Sequence, residues 1–124
     1  MGFLSKLSTD IMDNFGVIVD RVSFDDGGIS YKNKIIGISA EHSPDGYLVV
    51  AVTASPDMDG FEKSAKQDST MRVQEFLETN GYGSCDVRPF PRANILVCGK
   101  IDSGRLVEEV QPRVLRNLPY NASP

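Results

Sequence analysis

The sequence has 124 residues, 40% of them hydrophobic and 24% charged, which is the composition of one ordinary globular domain and not of a disordered or fibrous chain. The net charge is -4 and the Lys and Arg residues are scattered, which argues against a surface that follows nucleic-acid phosphates. The N-terminal segment lacks the continuous apolar run of a signal peptide or membrane span. We therefore expect a single domain over residues 1–124, located in the cytoplasm, with no nucleic-acid or membrane partner.

The chain begins with a helical pattern, which predicts a first helix from Gly2 to Asn14. The apolar residues of this segment share one face: Phe3, Leu4, Leu7, Ile11, Met12 and Phe15. Gly16 ends the helix. The following VIVDRVSF (17–24) is either a short strand or an extended connector, and we interpret it as a connector.

An acidic and glycine-rich stretch, DDGG, spans Asp25 to Gly28. No helix follows that could receive a phosphate at its N-terminus, and two carboxylates would repel an anion. The stretch also lacks further ligands for a metal. A calcium loop over 55–66 is excluded as well, because Lys66 stands where a bidentate Glu is needed. We interpret DDGG as a turn and expect no cofactor and no metal.

Three segments with strand-like alternation follow: GISYKN (28–33), KIIGISAE (34–41) and YLVVAVTA (47–54). They predict an antiparallel meander. Pro44, Asp45 and Gly46 have the signature of a three-residue loop with a glycine bulge, which pairs Ser43 with Tyr47. Counting outward gives three apolar pairs on one face: Ala40 with Val50, Ile38 with Val52, and Ile36 with Ala54.

The opposite face of this hairpin is less polar than a solvated face requires. Its residues are Ile35, Gly37, Ser39, Tyr47, Val49, Ala51 and Thr53. Two interpretations stay open: a helix of the same chain covers this face, or the face binds a partner.

A long helix is predicted over 61–80, ended by Gly81. Its apolar sector contains Phe61, Ala65, Ser69, Val73, Phe76 and Leu77. Met71 falls on nearly the opposite side, where it is either a solitary exposed methionine or a contact with a second subunit.

Two more strands are predicted in SCDVRPF (84–90) and NILVCGKID (94–102). If the chain turns symmetrically about Pro91 and Arg92, Cys85 faces Cys98 across a hairpin. A disulfide is then conceivable, but in a cytosolic protein we expect buried free thiols.

A last helix begins after Asp102 or Ser103, either of which can cap it. Val107, Val110, Val114 and Leu118 repeat at helical intervals along it. Pro112 lies inside and removes a hydrogen bond, so we expect a kink or a restart near Gln111. Residues 119–124 are predicted to form a loose tail.

The chain offers little for catalysis. Its one histidine, His42, adjoins a turn, and the sequence has no Ser-His-Asp order, paired-glutamate signature or nucleotide fingerprint. We therefore expect a nonenzymatic protein with no catalytic residues.

The predicted fold class is α+β, in the order helix, three-stranded antiparallel meander, long helix, two strands and C-terminal helix. In this order and in its apolar spacing the chain resembles the class I chaperones of type III secretion systems, which are small acidic cytosolic proteins that hold a secreted effector. The segments that carry the resemblance are IMDNFGVIVDRVSFDDGGISYKN (11–33), KIIGIS (34–39), YLVVAV (47–52), FEKSAKQDSTMRVQEFLETN (61–80) and NILVCGKID (94–102).

The resemblance implies a homodimer formed through the long helix and the strand after it. The residues implied at this interface are Met71, Glu75, Cys85 and Val87. It also implies that an extended effector segment docks on apolar patches. These patches would be formed by Phe3, Leu7, Ile11, Ile35, Tyr47 and Val49.

An alternative function is compatible with the same fold. The chain would then be a regulatory or immunity-type module, monomeric, that binds one folded protein partner through a polar and charged interface.

Overall fold

The computed structural model of the protein describes residues 20–24, 28–32, 34–43 and 46–120. The predicted first helix, the DDGG turn from Asp25 to Gly27 and tail residues 121–124 lie outside the described residues. The predicted docking residues Phe3, Leu7 and Ile11 lie outside them too.

The described chain is of the α+β class, as predicted. Its strands are β1 (Asp20–Phe24), β2 (Gly28–Lys32), β3 (Ile36–His42), β4 (Leu48–Ala54), β5 (Cys85–Pro89) and β6 (Asn94–Cys98). The long helix α1 spans Glu62–Thr79. The segment that we call the C-terminal helix consists of a short α2 (Ser103–Arg105), a π-helical turn (Leu106–Val110) and α3 (Gln111–Arg116).

All six strands belong to one sheet with the order β1-β2-β3-β4-β6-β5, and every neighbouring pair is antiparallel. The interpretation of 17–24 as a connector is wrong for its second half, because β1 pairs with β2 from Asp20–Lys32 to Phe24–Gly28. An extended segment beside the open edge of a meander gains backbone hydrogen bonds by joining it.

The hairpin of β3 and β4 has the predicted register, with Ile36 opposite Ala54 and Ala40 opposite Val50. Its turn is closed by the Ser43 N–H, which donates to the Tyr47 carbonyl at 3.0 Å, and by the Gly46 N–H, which donates to the Ser43 carbonyl at 2.9 Å. Gly46 has a φ of 100°, a conformation that glycine adopts without steric cost.

Helices cover both faces of the sheet. On one face α1 packs through Val73, Phe76 and Leu77 against alternate residues of β3, β4 and β6. On the other face the C-terminal helix packs through Leu106, Val110, Val114 and Leu118. The central strand β4 is therefore buried on both sides, and each fully buried Val or Leu contributes roughly 1.5–3 kcal/mol of transfer free energy.

The irregularity expected near Gln111 is a π-helical turn and not a restart, because the backbone stays helical through Val110 and Gln111. The Gln111 N–H donates to the Leu106 carbonyl, five residues back, directly before Pro112. This wider turn shifts the phase of the helix. Leu106 is buried, whereas Val107, one of the residues that repeat at helical intervals, is 49% exposed.

The two cysteines lie opposite each other in β5 and β6, as the symmetric turn predicted. The expectation of free thiols is wrong, because Cys85 and Cys98 form a disulfide with a Cα–Cα distance of 4.2 Å. That short distance is typical of the non-hydrogen-bonded pairs of an antiparallel ladder, in which side chains approach most closely.

Pro119 and Tyr120, the first residues of the predicted tail, are half-buried. A Cβ atom placed on Gly37 would lie 3.0 Å from the Pro119 carbonyl oxygen and 3.0 Å from the Tyr120 ring. The Lys32 Nζ lies 5.6 Å from the centre of the same ring. These two residues therefore pack against the sheet.

Candidate functional site

Two residues of the predicted docking patch lie inside the protein. Tyr47 is 3% and Val49 is 0% exposed, since both face the C-terminal helix. The interpretation that a helix of the same chain covers this side of the hairpin is therefore confirmed. Tyr47 and Val49 cannot touch a partner while that helix is in place, whereas Ile35 is 49% exposed.

Two of the predicted dimer residues, Met71 of α1 and Val87 of β5, lie together on one exposed surface. Met71 is 61% and Val87 is 41% exposed, although both are large and apolar. They line the same shallow cavity of about 350 Å³. Glu75 is exposed one helical turn beyond Met71, and Cys85 is buried in its disulfide. We call the surface formed by Met71, Glu75 and Val87 the α1–β5 face.

The α1–β5 face is held together by hydrogen bonds to the backbone of Cys85. The Gln74 Nε2 donates to the Cys85 carbonyl at 2.8 Å, and the Cys85 N–H donates to the Glu78 Oε2 at 3.0 Å. Together with the disulfide to Cys98, these bonds fix the start of β5 against α1. The start of β5 is therefore tied to α1 beside this face.

The outer edge of β5 offers few groups for pairing with another strand. Cys85 already uses its outward N–H and carbonyl on α1 side chains, and Pro89 has no N–H to donate. By the alternation of an antiparallel ladder, Val87 then directs its N–H and carbonyl outward. Asp86 and Arg88 flank it as exposed charges, a common protection of edge strands. A partner of this region is thus expected to contact side chains more than backbone.

A second surface feature is a cleft of about 710 Å³ at the end of the sheet. It is lined by Thr53, Ala54, Pro56, Glu62, Lys63, Lys66, Pro91, Arg92 and Tyr120. We call it the basic cleft, because three of its residues are cations and one is an anion. No local sequence pattern indicates this cleft, since its walls come from β4, α1, the β5–β6 turn and the C-terminal segment.

A buried ion pair, also missed in the sequence, joins Glu41 of β3 to Arg113 of α3. The Tyr47 hydroxyl donates to the Glu41 Oε2 at 3.3 Å. Burial, followed by the negative charge of Glu41, raises the pKa of Tyr47, and the nearby Arg105 opposes this change. Arg113 contacts both carboxylate oxygens of Glu41, so this pair links the sheet to the C-terminal helix.

The described ranges contain no group of three or more His, Cys, Asp or Glu residues that could hold a metal ion. None of the helices in those ranges combines the length and the apolar character needed to cross a membrane. Comparisons with protein-family models, with curated proteins and with solved structures found no match.

Proposed function

We propose that this chain is a nonenzymatic binding protein, resembling a secretion chaperone, that forms a homodimer through its α1–β5 face and holds an extended segment of another protein. The observation that supports the dimer is the position of Met71 and Val87. Two large apolar side chains are exposed on the same surface, and their burial against a partner would lower the free energy of the system.

The chemistry around these two residues fits an interface between folded subunits. Methionine is flexible and adapts to a facing surface. The polar rim would be supplied by Glu75 and Gln67, which are exposed beside it. An apolar centre with a polar rim is the usual anatomy of protein interfaces.

The docking surface for the extended segment is narrower in this proposal than in the sequence-based prediction. Ile35 remains a candidate contact because it is exposed. Tyr47 and Val49 instead support the C-terminal helix from below. Phe3, Leu7 and Ile11 stay predicted contacts.

We also propose that the protein acts in the cytoplasm. Disulfides there are exposed to reducing thiols, but exchange requires that a thiolate reach one of the two sulfurs. Cys85 and Cys98 both lie in the buried core under α1, and this burial would shield the bond from exchange.

Light scattering on the purified protein tests the dimer. The expected mass at micromolar concentration is twice the 13.6 kDa of one chain. A mass of one chain across that range would contradict this proposal and favour the alternative, a monomeric regulatory or immunity-type module that binds one folded partner.

A further inference from the structure

The basic cleft lies where three loops and helix ends meet at one end of the sheet. β4 ends there at Ala54, α1 begins at Glu62, and the β5–β6 turn contributes Pro91 and Arg92. Tyr120 reaches the same cleft from the C-terminal segment. A volume of about 710 Å³ lies within the range of sites that bind ligands of several residues or rings.

Hydrogen bonds from Thr53 and Lys66 to the β5–β6 turn hold the walls of the cleft together. The Lys66 Nζ donates to the carbonyls of Phe90 at 3.0 Å and Pro91 at 3.2 Å. The Thr53 hydroxyl donates to the Arg92 carbonyl at 2.7 Å. The β5–β6 turn is therefore tied to both α1 and β4, and the backbone of Arg92 is held at the rim.

Two of the three cations are available to a ligand. Lys63 and Arg92 are exposed, and neither forms an ion pair with another described residue. Glu62 is the one carboxylate among the lining residues. The cleft is thus locally positive in a chain whose net charge is -4, so it would attract an anionic ligand.

The rest of the lining suits a peptide more than a small ion. Ala54, Pro56 and Pro91 are apolar, and the ring of Tyr120 adds a flat surface. A single carboxylate or phosphate would leave most of this volume unfilled. The cavity that contains Met71 and Val87 shares Lys63 and Lys66 with the basic cleft, so the cleft adjoins the α1–β5 face.

We propose that the basic cleft binds an extended acidic segment of the protein partner, with Asp or Glu carboxylates placed at Lys63 and Arg92. This inference rests on the proposed function, because it takes the ligand to be a stretch of protein. It adds the charge of that stretch and the residues that recognise it.

The test measures fluorescence anisotropy of a short fluorescein-labelled peptide of alternating Glu and Ala. The matched probe carries Gln in place of Glu. A salt concentration of about 0.1 M screens the distant negative charges of the protein over roughly 10 Å while close contacts persist. The full chain is compared with Lys63→Gln, Arg92→Gln and the double variant. Lys100→Gln is the control, because it removes the same charge from an exposed residue after β6, at the other end of the sheet.

We expect the Glu peptide to bind more tightly than the Gln peptide. Each single substitution in the cleft should weaken binding about threefold and the double variant about tenfold, as for exposed charge pairs, whereas Lys100→Gln should leave affinity unchanged. Equal affinity for the two peptides, or equal affinity of the parent and the double variant, would overturn the proposal. Full competition by free glutamate or inorganic phosphate at the concentration of bound peptide would overturn it in favour of a small-anion site.

The oligomeric state of the same samples separates this proposal from the dimer. Arg92→Gln should leave the mass from light scattering at the value of the parent, because Arg92 does not line the cavity of Met71 and Val87. If the peptide fails to bind while the parent is dimeric, the cleft proposal alone is wrong. If the parent is monomeric but binds the Glu peptide through Lys63 and Arg92, the dimer is wrong and the cleft stands.

Discussion

Glu41 and Arg113, 72 positions apart in the chain, form a two-point ion pair between the sheet and the C-terminal helix. The Arg113 Nε lies 2.5 Å from the Glu41 Oε1, and the Nη2 lies 2.8 Å from the Oε2. The Glu41 side chain is almost fully buried, and that of Arg113 is mostly so. The pair therefore fixes α3 at one position on β3.

Replacing Arg113 alone should lower the free energy of unfolding more than replacing Glu41 and Arg113 together. Arg113→Leu leaves a buried carboxylate without its cation, and we expect a loss of about 3 kcal/mol in the free energy of unfolding, measured with urea. The double variant Glu41→Leu/Arg113→Leu should lose much less, since both charges are gone. Glu109→Gln, which removes the exposed pair with Arg105, is the control and should change stability by less than about 0.5 kcal/mol. A single variant as stable as the control would refute a structural role of the pair.

The disulfide should contribute substantially to stability. Cys85 and Cys98 are 13 positions apart, and closing a loop of this size stabilises by about 3 kcal/mol in the chain-entropy model. We expect Cys85→Ala/Cys98→Ala to unfold at lower urea, with a midpoint unaffected by reductant. The parent should show no free thiols when it is denatured without reductant. Two titratable thiols in that sample would show that the bond does not form.

Gly99 should tolerate no side chain. A Cβ atom on Gly99 would clash with the Gly46 carbonyl oxygen in the β3–β4 turn. Gly99 also has a φ of 85°, in the left-handed region. Gly83 has a similar φ of 97° but open space around it. Gly83→Ala should therefore lose roughly 1–2 kcal/mol, the cost of the left-handed conformation alone, and Gly99→Ala distinctly more. Equal losses in urea denaturation would mean that the turn moves away freely.

His42 should make the fold sensitive to acid. Burial lowers its pKa from the ordinary value of 6.5, so the native state favours the neutral ring. The stability that depends on a neutral His42 is fully present above pH 6.5. It is lost as the pH falls through the lower native pKa, because the unfolded chain binds the proton more readily. The ring resonance in NMR should titrate with a midpoint below 6.5, and His42→Gln should lack this part of the pH dependence of stability. A midpoint at or above 6.5 would contradict the assigned effect of burial.

Local patterns predicted those features that depend on neighbours in the sequence. The sequence signature of Pro44, Asp45 and Gly46 predicted the register of β3 and β4, and Pro112 predicted an irregularity of the last helix near Gln111. The alternation in β4 separated its two faces but could not say what covers each one. The alternation left open a helix or a partner, and the resemblance implied Tyr47 and Val49 as docking residues, but both are buried under a helix of the same chain.

The features that were missed depend on contacts between distant segments. Nothing around Glu41 indicates that Arg113 will lie above it, because the packing of a helix on a sheet brings them together. The basic cleft likewise combines Lys63, Arg92 and Tyr120 from three regions of the chain. The symmetric turn predicted that Cys85 and Cys98 face each other. Whether they form a disulfide depends on the redox environment, which a spacing pattern does not report.

The most direct test of the proposed function is the mass of substituted chains in solution. Met71→Glu places a charge in the centre of the α1–β5 face, and Val107→Glu places the same charge on an exposed valine of the C-terminal helix, across the sheet. Light scattering at micromolar concentration should give twice 13.6 kDa for the parent and for Val107→Glu, and 13.6 kDa for Met71→Glu. A parent of 13.6 kDa, or a Met71→Glu variant that stays dimeric, would contradict the proposed interface.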